Sequence, residues 1–291
     1  MITKEHLFYT FSKDLKPICH VKDGETITLE TVDAFGGQIQ SENDTLDSLD
    51  WNKVNPATGP IFVDGAMPAD FLKVEILAIE LDSHGIMASI PNAGLFGERY
   101  EQSVIKCLDI ESDYTIFNDL KIPLEPMIGV IGVAPLNDTP NGEPGQHGGN
   151  MDNKMIRVGS ILYLPIFTEG ALFGLGDLHA AMADGEVNVT GIEVAGKVTV
   201  RLSVIKDISH NHPLLIDEEH FYTIYSEKTL ELAAKGVSNE MHYWLKKSLD
   251  YSASDISMLM SLTANLEVCQ VVDPKVTMRM RVPLKYIKKL K

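Results

Sequence analysis

Hydrophobic and polar positions alternate over much of the first two thirds of the chain. At residues 25–32, Ile27 and Leu29 are apolar while Thr26, Thr28 and Glu30 are polar. Successive strand side chains point to opposite faces, so this pattern predicts a strand with one wet face. Segments 72–81, 127–133, 160–167 and 197–205 are also short and rich in Val, Ile and Thr, with Gly, Pro, Asn and Asp between them. Punctuation of this kind predicts a sandwich or barrel, not a βαβ alternation. Residues 136–153 hold Pro140, Pro144 and four glycines and are expected to form neither helix nor regular strand. A loop that long in a compact domain is usually functional or disordered.

The period changes after about residue 206. Leu230, Ala234, Val237, Met241 and Trp244 or Leu245 recur at helical spacing and predict a helix within 226–249. Gly236 weakens it by roughly 1 kcal/mol relative to Ala. Ser252 followed by Asp255 resembles a capping box that opens a second helix over 253–264. Val276, Met278, Met280 and Val282 alternate with Thr277, Arg279 and Arg281, which predicts a closing half-buried strand. The expected fold is mainly β: a β-sandwich-like core over 1–205 and a C-terminal α+β portion over 206–291, with the boundary near residue 205.

With 291 residues, 44% of them hydrophobic, the chain can bury one large core or two smaller ones. A formal net charge of −16 repels phosphate backbones and argues against nucleic acid as a partner. Residues 1–14 lack the basic start and apolar run of a secretory leader. No stretch approaches the roughly 18 consecutive apolar residues of a membrane span, so no membrane partner is expected. Cys19, Cys107 and Cys269 are odd in number, far apart and without a CxxC pair. They suggest small buried apolar residues in a reducing, cytoplasmic compartment, not a disulfide framework.

Chemistry-bearing residues are densest at Gly176-Asp177-Leu178-His179-Ala180-Ala181-Met182-Ala183-Asp184-Gly185-Glu186. In extended chain, Asp177 and His179 project onto one face and could bind one metal. A borderline cation such as zinc accepts nitrogen and oxygen donors together, whereas harder ions prefer the carboxylates. Asp184-Gly185 reads as a turn that could fold Glu186 back beside them. A polar hairpin with an exposed turn would read the same way.

A second candidate is Pro144-Gly145-Gln146-His147-Gly148-Gly149-Asn150-Met151-Asp152. His147 could ligate a metal or shuttle protons, and Asp152 could ligate or orient a histidine. Asp33, at the end of the first strand and just before Gly36-Gly37, could be a ligand, an acid/base group or simply a strand-ending turn residue. Residues 55–70 read mostly as turn chemistry. His210-Asn211-His212 has the spacing of a metal pair, but Pro213 follows and no acid appears until Asp217; it reads as a polar surface turn. The remaining histidines (His6, His20, His84, His220 and His242) are isolated and read as structural.

Taken together, Asp33 to Gln38, Asn55 to Asp70, Ile131-Gly132-Val133-Ala134-Pro135, Pro144 to Asp152 and Gly176 to Glu193 resemble the acetamidase/formamidase family, in order, across residues 33–193. Gly-Asp-Leu-His-Ala-Ala with its later Asp-Gly-Glu is the most specific of these motifs. The resemblance implies a mostly β protein with a divalent metal site that hydrolyses small primary amides. Carried over residue by residue, it points to Asp33, Asp177 and His179 as the metal-bearing centre. His147, Asp152, Asp184 and Glu186 would line that centre or hold a second ion. The family pattern has Gln-Gly where this chain has Met182-Ala183, a change that falls on the substrate pocket and not on the metal-type residues.

On that reading zinc is the first expected cofactor, with calcium the alternative. Glu186 or Asp184 would serve as general base and then acid, with His147 as another proton shuttle. No GxSxG elbow and no catalytic cysteine motif support a side-chain nucleophile. Two alternatives remain at this level. One is hydrolysis of a larger or cyclic amide, and the other is a non-catalytic β-domain whose acidic loops hold calcium. The expected partners are a small amide and a second copy of the chain in a homodimer or higher homo-oligomer.

Overall fold

The computed structural model describes residues 1–206, 208 and 210–288. Strand takes 42% of it and helix 15%, so the fold is mainly β, as the alternation predicts. The predicted strands form at Glu25–Thr31, Phe71–Ser89, Met127–Gly132, Ile161–Pro165 and Glu193–Ile205. Phe71–Ser89 runs well past the predicted segment because it pairs on one side with Glu193–Ile205 and at its far end with Val104–Asp109. The loop at 136–153 contains two very short strands, Thr139–Pro140 and Gly148–Asn150.

Fifteen strands join one branched sheet, and the branching produces the sandwich-like core. Phe173–His179 pairs along one edge with Met127–Gly132. Its other edge is shared: Ala57–Val63 takes the first half, and Glu193–Ile205 takes Leu178 and His179. Glu193–Ile205 divides its own edge in the same way, passing to Glu25–Thr31 from Gly196 onward. The fork at His179 and Glu193 is where the candidate site lies.

Ile27, Leu29, Ile61, Val74, Ile128, Leu175 and Val198, drawn from different strands, fill one hydrophobic cluster. Burying each such side chain contributes about 1.5–3 kcal/mol. The face of Glu25–Thr31 expected to be wet is only half so. Thr28 faces its register partner Thr199 with hydroxyls 2.8 Å apart.

Beyond the core the sheet continues through Ile161–Pro165, Leu214–Ile216, His220–Glu227, Val276–Pro283 and Asn265–Gln270. Two helices pack against this end, α1 at Leu230–Ser248 and α2 at Ala253–Thr263. Thr229 caps α1 by accepting from Leu232 N–H, and Ser252 caps α2 by accepting from Asp255 N–H, which satisfies backbone donors that have no helical partner. Val237, Met241, Trp244 and Leu245 of α1 bury themselves with Phe221 and Val282 in a second cluster. Gly236 is accommodated because a Cβ there would lie 2.5 Å from the ring of Tyr225. No helix among the described residues is long and apolar enough to cross a membrane.

Val276–Pro283 corrects one expectation. Its polar face is not wet: Thr277 is fully buried and Arg279 is 2% exposed. Arg279 donates to both carboxylate oxygens of Asp184 at 2.9 and 2.6 Å, to Glu267 at 2.7 Å and to Asn153 at 3.1 Å. A buried guanidinium is tolerated only with such partners.

Candidate metal centre

The antiparallel register that pairs His179 with Glu193 sets their side chains together. His179 Nε2 lies 3.1 Å from Glu193 Oε2, 3.5 Å from Asp177 Oδ1 and 3.8 Å from Asp152 Oδ1. Asp177 and His179 share the strand, as their spacing predicts, but Asp177 adopts a left-handed backbone with φ +54°. Asp152 and Glu186 do the same at φ 40° and 48°. For non-glycine residues this costs on the order of 1–3 kcal/mol each, a strain characteristic of functional sites. The Asp184-Gly185 turn brings Glu186 back, so Asp152, His179 and Glu186 form one potential ligand group and Asp177, His179 and Glu193 another, each with its ligand atoms within 4.8 Å of one another.

The neighbouring backbone leaves space for these carboxylates at Gly129. A Cβ there would stand 2.5 Å from Asp152 Oδ1 and 2.6 Å from Asp177 Oδ2, closer than any methyl group can sit. Asp177, His179, Glu186 and Glu193 line a cavity of about 150 Å³ together with Phe35, Asn150 and Asp273.

All these acids are buried, and their electrostatics follow from it. Burial, reinforced by Asp177, pushes Asp152 up to about 7 against the pull of His179. Burial, again with Asp177, pushes Glu193 up to about 8. Glu186 is raised well above the carboxylate range by burial and by Asp152. Asp177 alone is lowered, because His179 outweighs its desolvation. His179 is desolvated too, yet Glu193 and Asp177 hold its imidazole well above the usual histidine range. One imidazolium cannot neutralise this many carboxylates.

Both oxygens of Asp152, Asp177 Oδ1, Glu186 Oε2 and Glu193 Oε2 are buried without a hydrogen-bond partner. Buried polar atoms are normally paired. Oxygen donors converging around one imidazole fit a divalent cation.

Of the residues singled out in the sequence, Asp152, Asp177, His179 and Glu186 come together here. Asp33 sits at the margin. Its Oδ1 accepts from Phe35 N–H at 2.8 Å and Gly37 N–H at 3.2 Å, which closes the turn after its strand. Its carboxyl is raised chiefly by burial, with a contribution from nearby Asp177. Asp184 is held outside the cluster by Arg279 and Lys154. His147 packs edge-on against Phe11 at 5.2 Å and faces a different cavity of about 360 Å³.

Sequence reasoning missed two members. Glu193 stands 14 positions beyond His179, and only the strand register identifies it. Asp273 comes from the turn after Asn265–Gln270, where Val272 N–H and Asp273 N–H both donate to Gln270 Oε1. Burial, with Asp152 and Asp177, raises its carboxyl well above the usual range. The same turn is stitched to the Asp184–Glu186 segment by Gly185 N–H to Cys269 O and Val271 N–H to Gly185 O. The C-terminal residues therefore help to build the site.

Comparison with known proteins bears on this arrangement. The sequence profile of the Acetamidase/Formamidase family matches residues 2–143 and 140–287. The crystal structure of an acetamidase from Bacillus halodurans superposes with a TM-score of 0.97 at 41% identity, covering 99% of both chains. That of a recombinant predicted acetamidase/formamidase from Thermoanaerobacter tengcongensis gives 0.96 at 45% identity, covering 98% of this chain and 97% of the other. A formamidase from Methylophilus methylotrophus is 27% identical, with 67% of this chain and 63% of that protein covered. The chain spans 63–66% of the length of the curated relatives it matches.

Proposed function

The chain belongs to the acetamidase/formamidase family, and on that premise we propose that it hydrolyses short primary amides to a carboxylate and ammonia at a divalent metal centre. The observation that carries this reading is the set of unpartnered, buried carboxylate oxygens around His179. Asp152, Asp177, His179 and Glu193 would hold the ion. Zinc is the first candidate because an imidazole nitrogen is central, and the oxygen-rich remainder also suits calcium or manganese. A cation held there supplies Lewis-acid chemistry, polarising the amide carbonyl and lowering the pKa of water towards about 7.

The rest is done by the chain's own groups. Glu186 Oε1 accepts from Gly191 N–H at 3.1 Å, which fixes the carboxyl and leaves Oε2 without a partner. Its raised affinity for protons suits a group that takes one from water and returns it to the departing nitrogen. Asn150 Oδ1, also unpartnered at the cavity, offers an acceptor to the NH₂ of a primary amide. A cavity of about 150 Å³ lies below the ~300–1,000 Å³ of sites for drug-sized ligands and fits a small substrate. Asp184 then acts through Arg279, and His147 keeps no part in the chemistry.

One observation favours a second reading, a longer acyl chain. Glu186 also borders an adjoining cavity of about 540 Å³ lined by Met182, Phe117 and Ile122. That is where this sequence departs from the family pattern.

The deciding measurement is ammonia release from formamide, acetamide and primary amides of increasing acyl length. It uses protein stripped of metal and then resupplied with zinc, calcium or manganese. Metal-restored release is expected, with the best acyl length choosing between the two cavities. Absence of release with every ion and every amide would overturn the proposal.

A further inference from the structure

The two histidines that read as a surface turn in the sequence acquire an acid partner from a distant helix. Glu240 on α1 places Oε2 2.8 Å from His210 Nε2 and Oε1 3.2 Å from His212 Nδ1. The three side chains are only 8, 17 and 15% exposed, in the order His210, Glu240, His212. One atom from each lies within 4.8 Å of the other two. Asp217, the first acid downstream of the pair, is engaged elsewhere and accepts from the Tyr222 hydroxyl at 2.6 Å.

The rings are held in place before any ligand arrives. His210 is stacked between Phe71 and Tyr243, with interplanar angles of 17° and 11°. His212 stacks on Tyr225 at 4.4 Å. Its other nitrogen, Nε2, lies 3.3 Å from the Gln146 amide, the kind of outer contact that orients a metal-binding imidazole and fixes its tautomer. Fixed rings lose little freedom on binding, which favours a preorganised site. Two imidazole nitrogens and one carboxylate are the donor set of three-ligand zinc sites, which leave a fourth position open. Here His212 borders a cavity of about 360 Å³ that Gln146 and Lys275 also line, which gives water or a small ligand room beside one of the three donors.

We propose that His210, His212 and Glu240 form a second divalent-cation site of the zinc class, which clamps the segment before Leu214–Ile216 to α1. None of its residues belongs to the centre around His179, so the two sites load and fail independently.

The test is metal counting on intact protein. Wild type, His212→Ala and Glu240→Gln are stripped with a chelator, reloaded with zinc, desalted and analysed by plasma mass spectrometry. Each variant is expected to retain one zinc per chain fewer than wild type. Cobalt in place of zinc should give a visible tetrahedral spectrum whose second component disappears in both variants. The same subtraction on a His179→Ala background keeps the readout separate from the fate of the other centre. If His212→Ala does not fold by circular dichroism, Glu240→Gln, which preserves shape, carries the test. Equal zinc content and identical cobalt spectra in wild type and Glu240→Gln would leave only an ion-paired cluster and overturn the proposal.

Discussion

His179 Nε2 and Glu193 Oε2 approach to 3.1 Å because the two residues are direct register partners across an antiparallel pair. Two other carboxylates approach the same nitrogen at 3.5 and 3.8 Å. A single N–H can be directed at one acceptor only, so the group as a whole needs more positive charge than the imidazole supplies.

That imbalance predicts opposite effects of Glu193→Gln with and without metal. With metal removed, the variant should melt at a higher temperature than wild type near neutral pH, because burial raises Glu193 to about 8 and folding must give it a proton that glutamine does not need. Loaded with metal it should melt lower than wild type, retain metal at least ~10-fold less tightly and lose amide turnover accordingly. Thermal melts with and without chelator read both signs. Equal melting temperatures in the two chelated proteins would remove the argument for electrostatic frustration at the site.

Gly129 provides a steric version of the same test. A methyl group there would stand 2.5 and 2.6 Å from the carboxylates of Asp152 and Asp177. Gly129→Ala must therefore push at least one of them aside. Far-UV circular dichroism should be unchanged, while metal content after dialysis and kcat/KM for formamide should both fall by at least ~10-fold, since misplacement of about 1 Å can cost ~100-fold. Full metal content in the variant would place the ion away from these two oxygens.

How much of this was legible in the chain depended on the distance over which residues cooperate. Asp177 and His179 are two positions apart, and the Asp184-Gly185 turn is local, so their convergence with Glu186 could be read directly. Both helices were legible for the same reason: the apolar period of the first and the Ser252–Asp255 cap of the second are each set by residues a few positions apart. Glu193 and Asp273 were not, because strand register and a turn from the far end of the chain place them. Arg279 looked like a solvent-facing position in an alternating strand. Its burial follows from Asp184 and Glu267 arriving from other elements, which no local pattern announces. The short distances around Glu240 were invisible likewise, since α1 docks against a loop that precedes it by two strands.

Arg279 makes a strong prediction of its own. Arg279→Ala would leave Asp184 and Glu267 facing each other without their shared cation, and breaking a buried pair costs roughly 3–5 kcal/mol. Those carboxylates are 32 and 21% exposed, so water offsets part of the loss and the low end, about 3 kcal/mol, is expected. Arg279→Lys keeps the charge but not the fork that reaches both oxygens of Asp184. It should recover part of the stability while amide turnover stays reduced, because the turn that carries Glu186 is no longer anchored. Urea denaturation measures the first quantity and steady-state kinetics the second. Full turnover in a folded Arg279→Lys variant would disconnect Arg279 from the site.

His147 should govern the acid side of the stability profile without contributing to turnover. Its imidazole is 3% exposed, and burial, with a smaller contribution from Lys275, lowers it to about 3. In the unfolded chain it titrates near 6.5, so between about pH 6.5 and 3 the unfolded state binds a proton that the folded state refuses. Stability must then fall as the pH drops through that window, by about 2 kcal/mol for this group at pH 5. Glutamine cannot take up the proton, so His147→Gln should flatten the dependence of urea midpoint on pH between 6.5 and 5. It should also leave kcat for the metal-loaded enzyme near its wild-type value, because His147 faces a different cavity from the carboxylates around His179. If the slopes of wild type and variant coincide, the imidazole is reached by solvent and protonated in place. If the slope flattens but kcat falls by orders of magnitude, His147 belongs to the chemistry after all, and the proton carrier assigned to Glu186 would have to be shared.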